Sequence, residues 1–537
     1  MGSKLNNSWF SGFLAIGIIY FILLIYGSFN NPYLGHADRS NAANVAKNLV
    51  NGYGYVTNYV HDFYEEEKLP VKEKTWPILQ PTWIALSFKI FGINETAARL
   101  PNIIFIILIG SASFFIGKLL SNNYQVAFYC GVSVLLCGRY DIQTRNDTGA
   151  ILFITMIFLS VLLYEKYRKM FWVFIAGLFA GLAAMQRFEL IIVFPILAIY
   201  FFLGNFFKSK RKIKEYVLNI SNYRYSICVV ISSLLFYSPM IIYNNSVHGS
   251  LFVSKNSASR MGDIAKYQIN STKTFEERYK VFYNKKSEQQ IINMNTLQKL
   301  KFYKKNLTEF KKGVYYLLYK SIGFLATCIL FCSLFMNFKI IKHNKSLLML
   351  LFSLILAMLI SVSITSTFHP RYLYVFSPIL ISLSFSTLFE RFLTLNKKIT
   401  VNKFFMILMP LILSISIFWQ ERKSLVHWVT KSNSTFPDSN KASFELIDWI
   451  NNNTLINEVV MTREPWQINW HTERTAVMVP YGSLDDFIFI CKKYDVNYVI
   501  LDDTRSNLIK HIEGNNSNEY IPIYSNYKFK IFKVNKV

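Results

Sequence analysis

Charged side chains are scarce in this sequence of 537 residues. Asp, Glu, Lys and Arg make up 17% of it, against about 25% in soluble globular chains. With a positive mean hydropathy, that scarcity excludes the roughly three or four soluble domains that length alone would allow. Cysteine is scarce too. Cys130, Cys137, Cys228, Cys328 and Cys332 lie in apolar stretches and Cys491 stands alone. Their spacing suits neither a disulfide framework nor a zinc knuckle, and a cysteine in apolar surroundings acts as a small hydrophobe. A cleavable leader is not expected: the first apolar run, 9–29, is about 20 residues long, too long for a signal core, and no Ala-x-Ala follows it. Asn is abundant, so the match Asn94-Glu95-Thr96 carries no assigned role.

What is present is a series of long apolar runs. A membrane-spanning helix needs about 20 largely apolar residues, and the runs 9–29, 99–118, 124–140, 148–164, 171–186, 188–204, 225–244, 315–337, 346–366, 372–389 and 403–420 predict about eleven spans. The stretch Ile78 to Phe91 is shorter and carries Lys89, which suits an interfacial helix. The predicted fold is an all-α polytopic membrane bundle over 1–420. Its first outer loop spans 30–92 with interfacial helices, and a long outer loop spans 245–314. After Trp419 the chain turns polar, and 421–537 alternates helix-like and strand-like segments. Ala442 to Asn452 and Leu484 to Tyr494 read as helices. Glu458 to Thr462, Thr475 to Pro480, Val496 to Leu501 and Tyr527 to Val534 read as strands. This predicts a small C-terminal α/β soluble domain.

The formal charge is +26. In a soluble chain that would suggest nucleic acid. Here the positions of the cations argue against nucleic acid and for topology. With the N-terminus cytoplasmic, Lys166, Arg168, Lys169, Lys208, Lys210, Arg211, Lys212, Lys339, Lys342, Lys397 and Lys398 fall in inward loops, as short loops require. An odd number of spans then puts the tail outside.

Ionisable residues near membrane depth are functional candidates, and several lie at outward ends. Asp38 follows the first span, before a helix-like run that it could also cap. Asp147 could likewise cap the fourth span. Arg139 and Arg145 precede it and suit interfacial snorkelling. Arg187 and Glu189 could pair across the turn between the fifth and sixth spans. His369 and Arg371 stand before the tenth, and Arg371 enters an apolar run directly. Two acids with several Arg suit one chemistry. A carboxylate takes a proton from a hydroxyl, and guanidinium groups bind phosphate as its charge grows. In the tail, Trp466 and Trp470 read as core packing more than as a sugar platform.

At these residues the sequence resembles the GT-C glycosyltransferases that use a polyprenyl-phosphate sugar. Within them it is similar to the branch of bacterial protein-mannosyltransferase-like enzymes, aminoarabinose transferases and rhizobial core-sugar transferases. The matching stretches are Asp38 with 46–55, then 81–92, Asn94-Glu95-Thr96-Ala97-Ala98-Arg99-Leu100-Pro101, Arg145 to Asp147, and His369-Pro370-Arg371-Tyr372-Leu373. The resemblance implies Asp38 as the catalytic Asp of the first outer loop and Asp147 as a second catalytic carboxylate on the outer side. It implies donor phosphate-binding by Arg371, with Arg39, Arg145 and His369 as its companions. Arg39 stands where many members have Glu, and Trp76-Pro77-Ile78-Leu79-Gln80-Pro81 where many have Lys-Pro-Pro. His36, Asp38, His61 and Asp62 could hold a divalent ion, although no cofactor is demanded.

The expected function is transfer of a sugar from a polyprenyl-phosphate donor to a hydroxyl of a glycolipid, an envelope polysaccharide or a protein. It would take place at the outer face of a bacterial inner membrane, with inversion. A carrier or flippase for lipid-linked sugars is the alternative, and a subunit without activity a third reading. No internal repeat of the kind found in transporters is evident.

Overall fold

The computed structural model describes residues 2–35, 39–60, 69–73, 76–137, 142–209, 223–249, 307–316, 345–365, 370–396, 408, 410–415, 438–480, 484–514 and 519–535. Asp38, His36, His61, Asp62, Arg139 and His369 lie outside the described residues, as do most of the expected spans 315–337 and 403–420.

Among the described residues, four helices are long and apolar enough to cross a membrane, and five apolar helices are shorter. The membrane part begins with α1 (Gly2–Phe29). The first loop follows with α2 (Ser40–Val50), the two-residue strands β1 (Val56–Thr57), β2 (Tyr59–Val60) and β3 (Val71–Lys72), and α3 (Leu79–Phe91). The bundle continues with α4 (Glu95–Ser121), α5 (Tyr124–Leu135), α6 (Asp147–Tyr167), α7 (Met170–Gln186), α8 (Val193–Ser209), α9 (Arg224–His248), α10 (Lys345–Thr365) and α11 (Ser377–Asn396). The stretch 78–91 is helical, as its pattern suggested. The spans expected at 188–204 and 372–389 both open in 3-10 turns, Phe188–Ile192 and then Pro370–Tyr372 with Tyr374–Phe376. Pro370, which gives no backbone N–H to a helix, opens the second of these.

Helix α6 lies at the centre, nearly wholly buried, while α1 turns Ile18, Ile19 and Ile22 outward. In a membrane chain such an exposed apolar face meets lipid. Asn94, the sequon match, has a local role instead: its side chain accepts from the Ala97 N–H and caps α4, as N-cap residues do.

The tail comprises α12 (Asp438–Asn453), β4 (Val459–Thr462), α13 (Pro465–Thr472), β5 (Thr475–Met478), α14 (Leu484–Lys493), β6 (Tyr498–Asp502), α15 (Ser506–Gly514), β7 (Tyr520–Ser525) and β8 (Phe529–Val534). The strand order is β2-β5-β4-β6-β8-β7, parallel from β2 to β6 and antiparallel beyond. Alternate side chains feed two cores. Val60, Met461, Val477, Val499 and Phe532 enter one; Tyr59, Val460, Ala476, Tyr498 and Ile531 enter the other. A parallel sheet covered on both faces needs such doubly apolar strands.

One strand of this sheet is not from the tail. Tyr59 and Val60 of the first loop pair with Ala476 and Val477. Helix α13 rests on α2, where Asn44 donates to the Trp466 carbonyl at 2.8 Å. Trp470 is 7% exposed, stacks on Phe88 with ring centroids 6.0 Å apart, and donates its indole N–H to Glu95 at 3.0 Å. Trp466 and Trp470 are therefore packing residues, as the sequence suggested. Trp470→Ala should cost about 3–5 kcal/mol, the usual range for a buried aromatic truncation. The expected readout is earlier proteolysis of 438–535 in the detergent-solubilised chain, and an unchanged digestion profile would remove Trp470 from the docking contact.

His471 sits in the same contact. Burial pushes its pKa down from 6.5 to about 4, with Lys47 and Arg99 adding to the fall and Glu95 opposing it. The folded chain thus holds His471 neutral where the unfolded chain would protonate it. The contribution is fully present above pH 6.5 and is lost as pH falls towards about 4. Midpoints of unfolding measured from pH 7.5 to 4.5 should therefore fall less steeply for His471→Gln than for the parent chain.

Candidate active site

A network of amides fixes one end of the bundle. Asn102 of α4 donates to the carbonyls of Gln143 and of Arg145, the latter at 2.8 Å. Gln80 of α3 donates to Asn102 at 3.1 Å and accepts from Gln186. Asn146 donates to the Gln186 carbonyl at 2.8 Å. A Cβ on Gly149 would stand 2.5 Å from the Gln186 amide nitrogen, so the glycine is what lets α7 close on α6 here. The start of α6 is thereby held against the end of α7.

Asp147 is the first residue of α6, and Asn146 is the residue before it. The Asp147 carboxylate does not cap the helix. One oxygen accepts from Arg187, and the other lies 3.9 Å from the Arg371 guanidinium. A carboxylate in the first helical turn is also favoured by the helix dipole. Arg187 is 6% exposed, lies 3.5 Å from Glu189, and has its guanidinium 4.6 Å from the centre of the Tyr372 ring. Burial alone would lower the Arg187 pKa, but Asp147, Glu189 and Tyr372 outweigh it and the pKa is raised. Arg371, at 25% exposure, is the more open of the two cations. Two arginines and two carboxylates thus meet at one end of the bundle. The pairing expected between Arg187 and Glu189 exists, but Arg187 lies closer to Asp147.

The first loop reaches the same place. The Thr144 hydroxyl donates to the carbonyl of Arg39. Arg39, not Asp38, is the N-cap residue of α2, and it offers no side-chain cap. Asp38, which the sequence also offered as a cap, lies outside the described residues. Gly35 has φ +99, and a Cβ there would lie 2.5 Å from Arg39 Cδ, so only glycine suits this turn. The Ser40 hydroxyl donates to the Gly35 carbonyl at 2.5 Å, joining residues on either side of Asp38.

Of the residues singled out in the sequence, Asp147 and Arg371 meet directly. Arg39 and Arg145 come to the same end through backbone contacts. Arg187, read there as a partner of Glu189 and as one of several outward arginines, proves central. The signal for it was a lone Arg-Phe-Glu turn between two apolar runs. Arg99 had no role assigned to it, yet it is fully buried. Its guanidinium donates to Gln143 at 2.8 Å and to the carbonyls of Ser28, Asn31 and Tyr33 at 3.2, 2.5 and 2.8 Å. It binds the end of α1 and the first loop to the segment before α6. A buried charge is tolerable when its donors are satisfied in this way. Among the described residues, no three His, Cys, Asp or Glu side chains are grouped so as to share a metal ion.

A family model described as dolichyl-phosphate-mannose-protein mannosyltransferase matches residues 76–243, from the approach to α3 through most of α9. Among solved structures, ArnT from Cupriavidus metallidurans bound to undecaprenyl phosphate aligns with TM-score 0.56 at 12% identity, covering 98% of each chain. The same protein in the apo state gives 0.57 at 9% identity, again over 98% of each. The archaeal oligosaccharyltransferase AglB from Archaeoglobus fulgidus, in complex with an inhibitory peptide and a dolichol-phosphate, gives 0.56 at 11% identity, over 93% of this chain and 70% of that one. No curated protein matches the sequence. The likeness establishes the fold: this is a GT-C-like integral membrane chain.

Proposed function

We propose that this GT-C-like chain is a membrane glycosyltransferase that moves a sugar from a polyprenyl-phosphate donor to an acceptor hydroxyl. The observation that carries the reading is the meeting of Asp147, Arg187 and Arg371 beside the loop that holds Asp38. The undecaprenyl phosphate bound to ArnT and the dolichol-phosphate bound to AglB support it, as does the matching family model.

In this mechanism the donor phosphate lies against Arg371, the more open cation, and Asp147 with Arg187 hold that guanidinium in place. Arg39, Arg145 and His369 are the remaining candidates for phosphate contact. Asp38 accepts the proton of the acceptor hydroxyl. The hydroxyl oxygen bonds to the anomeric carbon as the bond from that carbon to the phosphate oxygen breaks. Polyprenyl phosphate leaves, and the single displacement inverts the centre. Arginine suits the phosphate because its charge increases as the bond breaks.

The test is transfer in detergent. The purified chain, a polyprenyl-phosphate sugar and a cell-envelope acceptor fraction should yield glycosylated acceptor with no membrane barrier present. A carrier would give none. Arg371→Gln should lower kcat/KM for the donor by about 10–100-fold, the equivalent of one charge-assisted hydrogen bond. An unchanged value would remove Arg371 from the phosphate site. The acceptor class among glycolipid, polysaccharide and protein belongs to this proposal. So does the setting, a bacterial inner membrane with the N-terminus cytoplasmic and the tail outside. Cleavage of the tail by protease added to spheroplasts tests that orientation.

A further inference from the structure

A cleft lies in the tail, against the first loop. Its lining includes Tyr33, Arg463, Glu464, Gln467, Asp502 and Phe529. Its place in the sheet is telling. From β4 the chain passes to β5 on one side and then to β6 on the other. The order therefore reverses between β4 and β6, whose parallel strands end at Thr462 and Asp502. In open α/β sheets, ligands bind beyond the carboxyl ends of the strands at such a switch point.

The chemistry of the lining is mixed. Arg463 pairs with Asp502 at 3.0 Å, and Tyr33 donates to Glu464 at 3.3 Å. Lys528 also lines the cleft, so two cations face two carboxylates. An anion would meet both carboxylates and a cation both basic groups, whereas a neutral polyol can use all four. Carboxylates accept from adjacent hydroxyls, the cations donate to them, and the rings of Tyr33 and Phe529 offer apolar faces to C–H bonds. Gln467 is 3% exposed and donates to the Gly35 carbonyl, while its own side-chain oxygen has no hydrogen-bond partner among the described residues. A buried acceptor left in this state is costly unless a ligand or water donates to it.

We infer that this cleft is a carbohydrate subsite, which holds a neutral sugar of the acceptor beside the first loop. The inference rests on the glycosyltransferase reading and deepens it, since it makes the acceptor a glycan. Tyr33 and Gly35 belong to the same short segment as Asp38, so a sugar held by Tyr33, Glu464 and Gln467 lies next to the loop that carries the base.

The experiment uses the full-length chain in detergent and a panel of methyl hexosides with their disaccharides, observed by saturation-transfer NMR. Ser/Thr-containing peptides form a second arm. At least one saccharide should show transfer that falls tenfold or more in Glu464→Gln and in Arg463→Met but persists in Asp38→Asn. Thermal unfolding of each variant shows whether it has kept its fold, and Tyr33→Phe, which keeps the ring, supplies a milder variant. In the transfer assay, Glu464→Gln should raise the acceptor KM with kcat little changed. If sugar transfer is measurable but no saccharide binds, or only peptides do, or binding survives both variants, the subsite is overturned and the enzyme reading stands. Saccharide binding lost in the variants, without sugar transfer from any lipid donor, would keep the cleft as a sugar site and overturn the enzyme reading.

Discussion

Asp38→Asn should reduce turnover by about 10²–10⁴-fold, the range expected when a general base is removed. Asn keeps the volume and the ability to hydrogen-bond, but it cannot take the proton of the acceptor. Donor binding should survive, because the phosphate contacts assigned above come from Arg371 and its neighbours. Folding should survive as well. Among the described residues, the hydroxyls of Ser40 and Thr144 donate to the carbonyls of Gly35 and Arg39 on either side of Asp38, and neither bond needs the carboxylate. The measurement is single-turnover transfer with saturating lipid donor. Turnover equal to the parent, in a variant that unfolds at the same temperature, would assign the proton transfer to another group.

Arg187→Ala should be the most destabilising change at the site. It leaves two carboxylates, Asp147 and Glu189, without the cation that both approach. Breaking a buried pair from one side costs about 3–5 kcal/mol. Asp147→Asn should cost less, since Arg187 keeps Glu189 and its position over Tyr372. The double variant should be more stable than the sum of the single losses predicts, because the Asp147–Arg187 interaction is then lost once and not counted twice. Unfolding midpoints in one detergent close that cycle. Additive losses would show that the pair does not act as a unit. Turnover should stay low in the double variant, which separates holding the fold from holding Arg371.

Much of this architecture is readable from the chain alone. Apolar runs of span length become helices because the bilayer leaves backbone groups no other partners, and α6 or α9 could hardly be read otherwise. In the tail, β4, β5, β6 and β8 follow from runs such as Val-Val-Met-Thr and Tyr-Val-Ile-Leu. Helix α13 was not foreseen, because Pro465 to Thr472 interleaves Trp466 and Trp470 with Gln467 and Asn469 and shows neither period. Nor could a strand of two residues, Tyr59 and Val60, announce a partner in the tail. Register between distant segments is set by the whole sheet. At the site, Asp147 and Arg371 were legible as charges at the ends of apolar runs, where desolvation demands a reason. Arg99 was not, since a clamp on four oxygens is invisible until the carbonyls of Ser28, Asn31 and Tyr33 are in place.

The strand that the first loop lends to the tail has a consequence for biosynthesis. Asn44 and Trp466, joined across that seam, are 422 residues apart. At about 5–20 residues per second, a ribosome needs on the order of 20–85 s to make the second after the first. Throughout that interval β2 has no β5 to pair with, and α2 has no α13 to rest on. The loop that carries Asp38 is therefore completed only by the last quarter of the chain. A product that stops short of β5 would contain most of its membrane helices and the whole of the first loop, but without the surface against which that loop is set. In such a molecule the site matures only once the strands of the tail have been made.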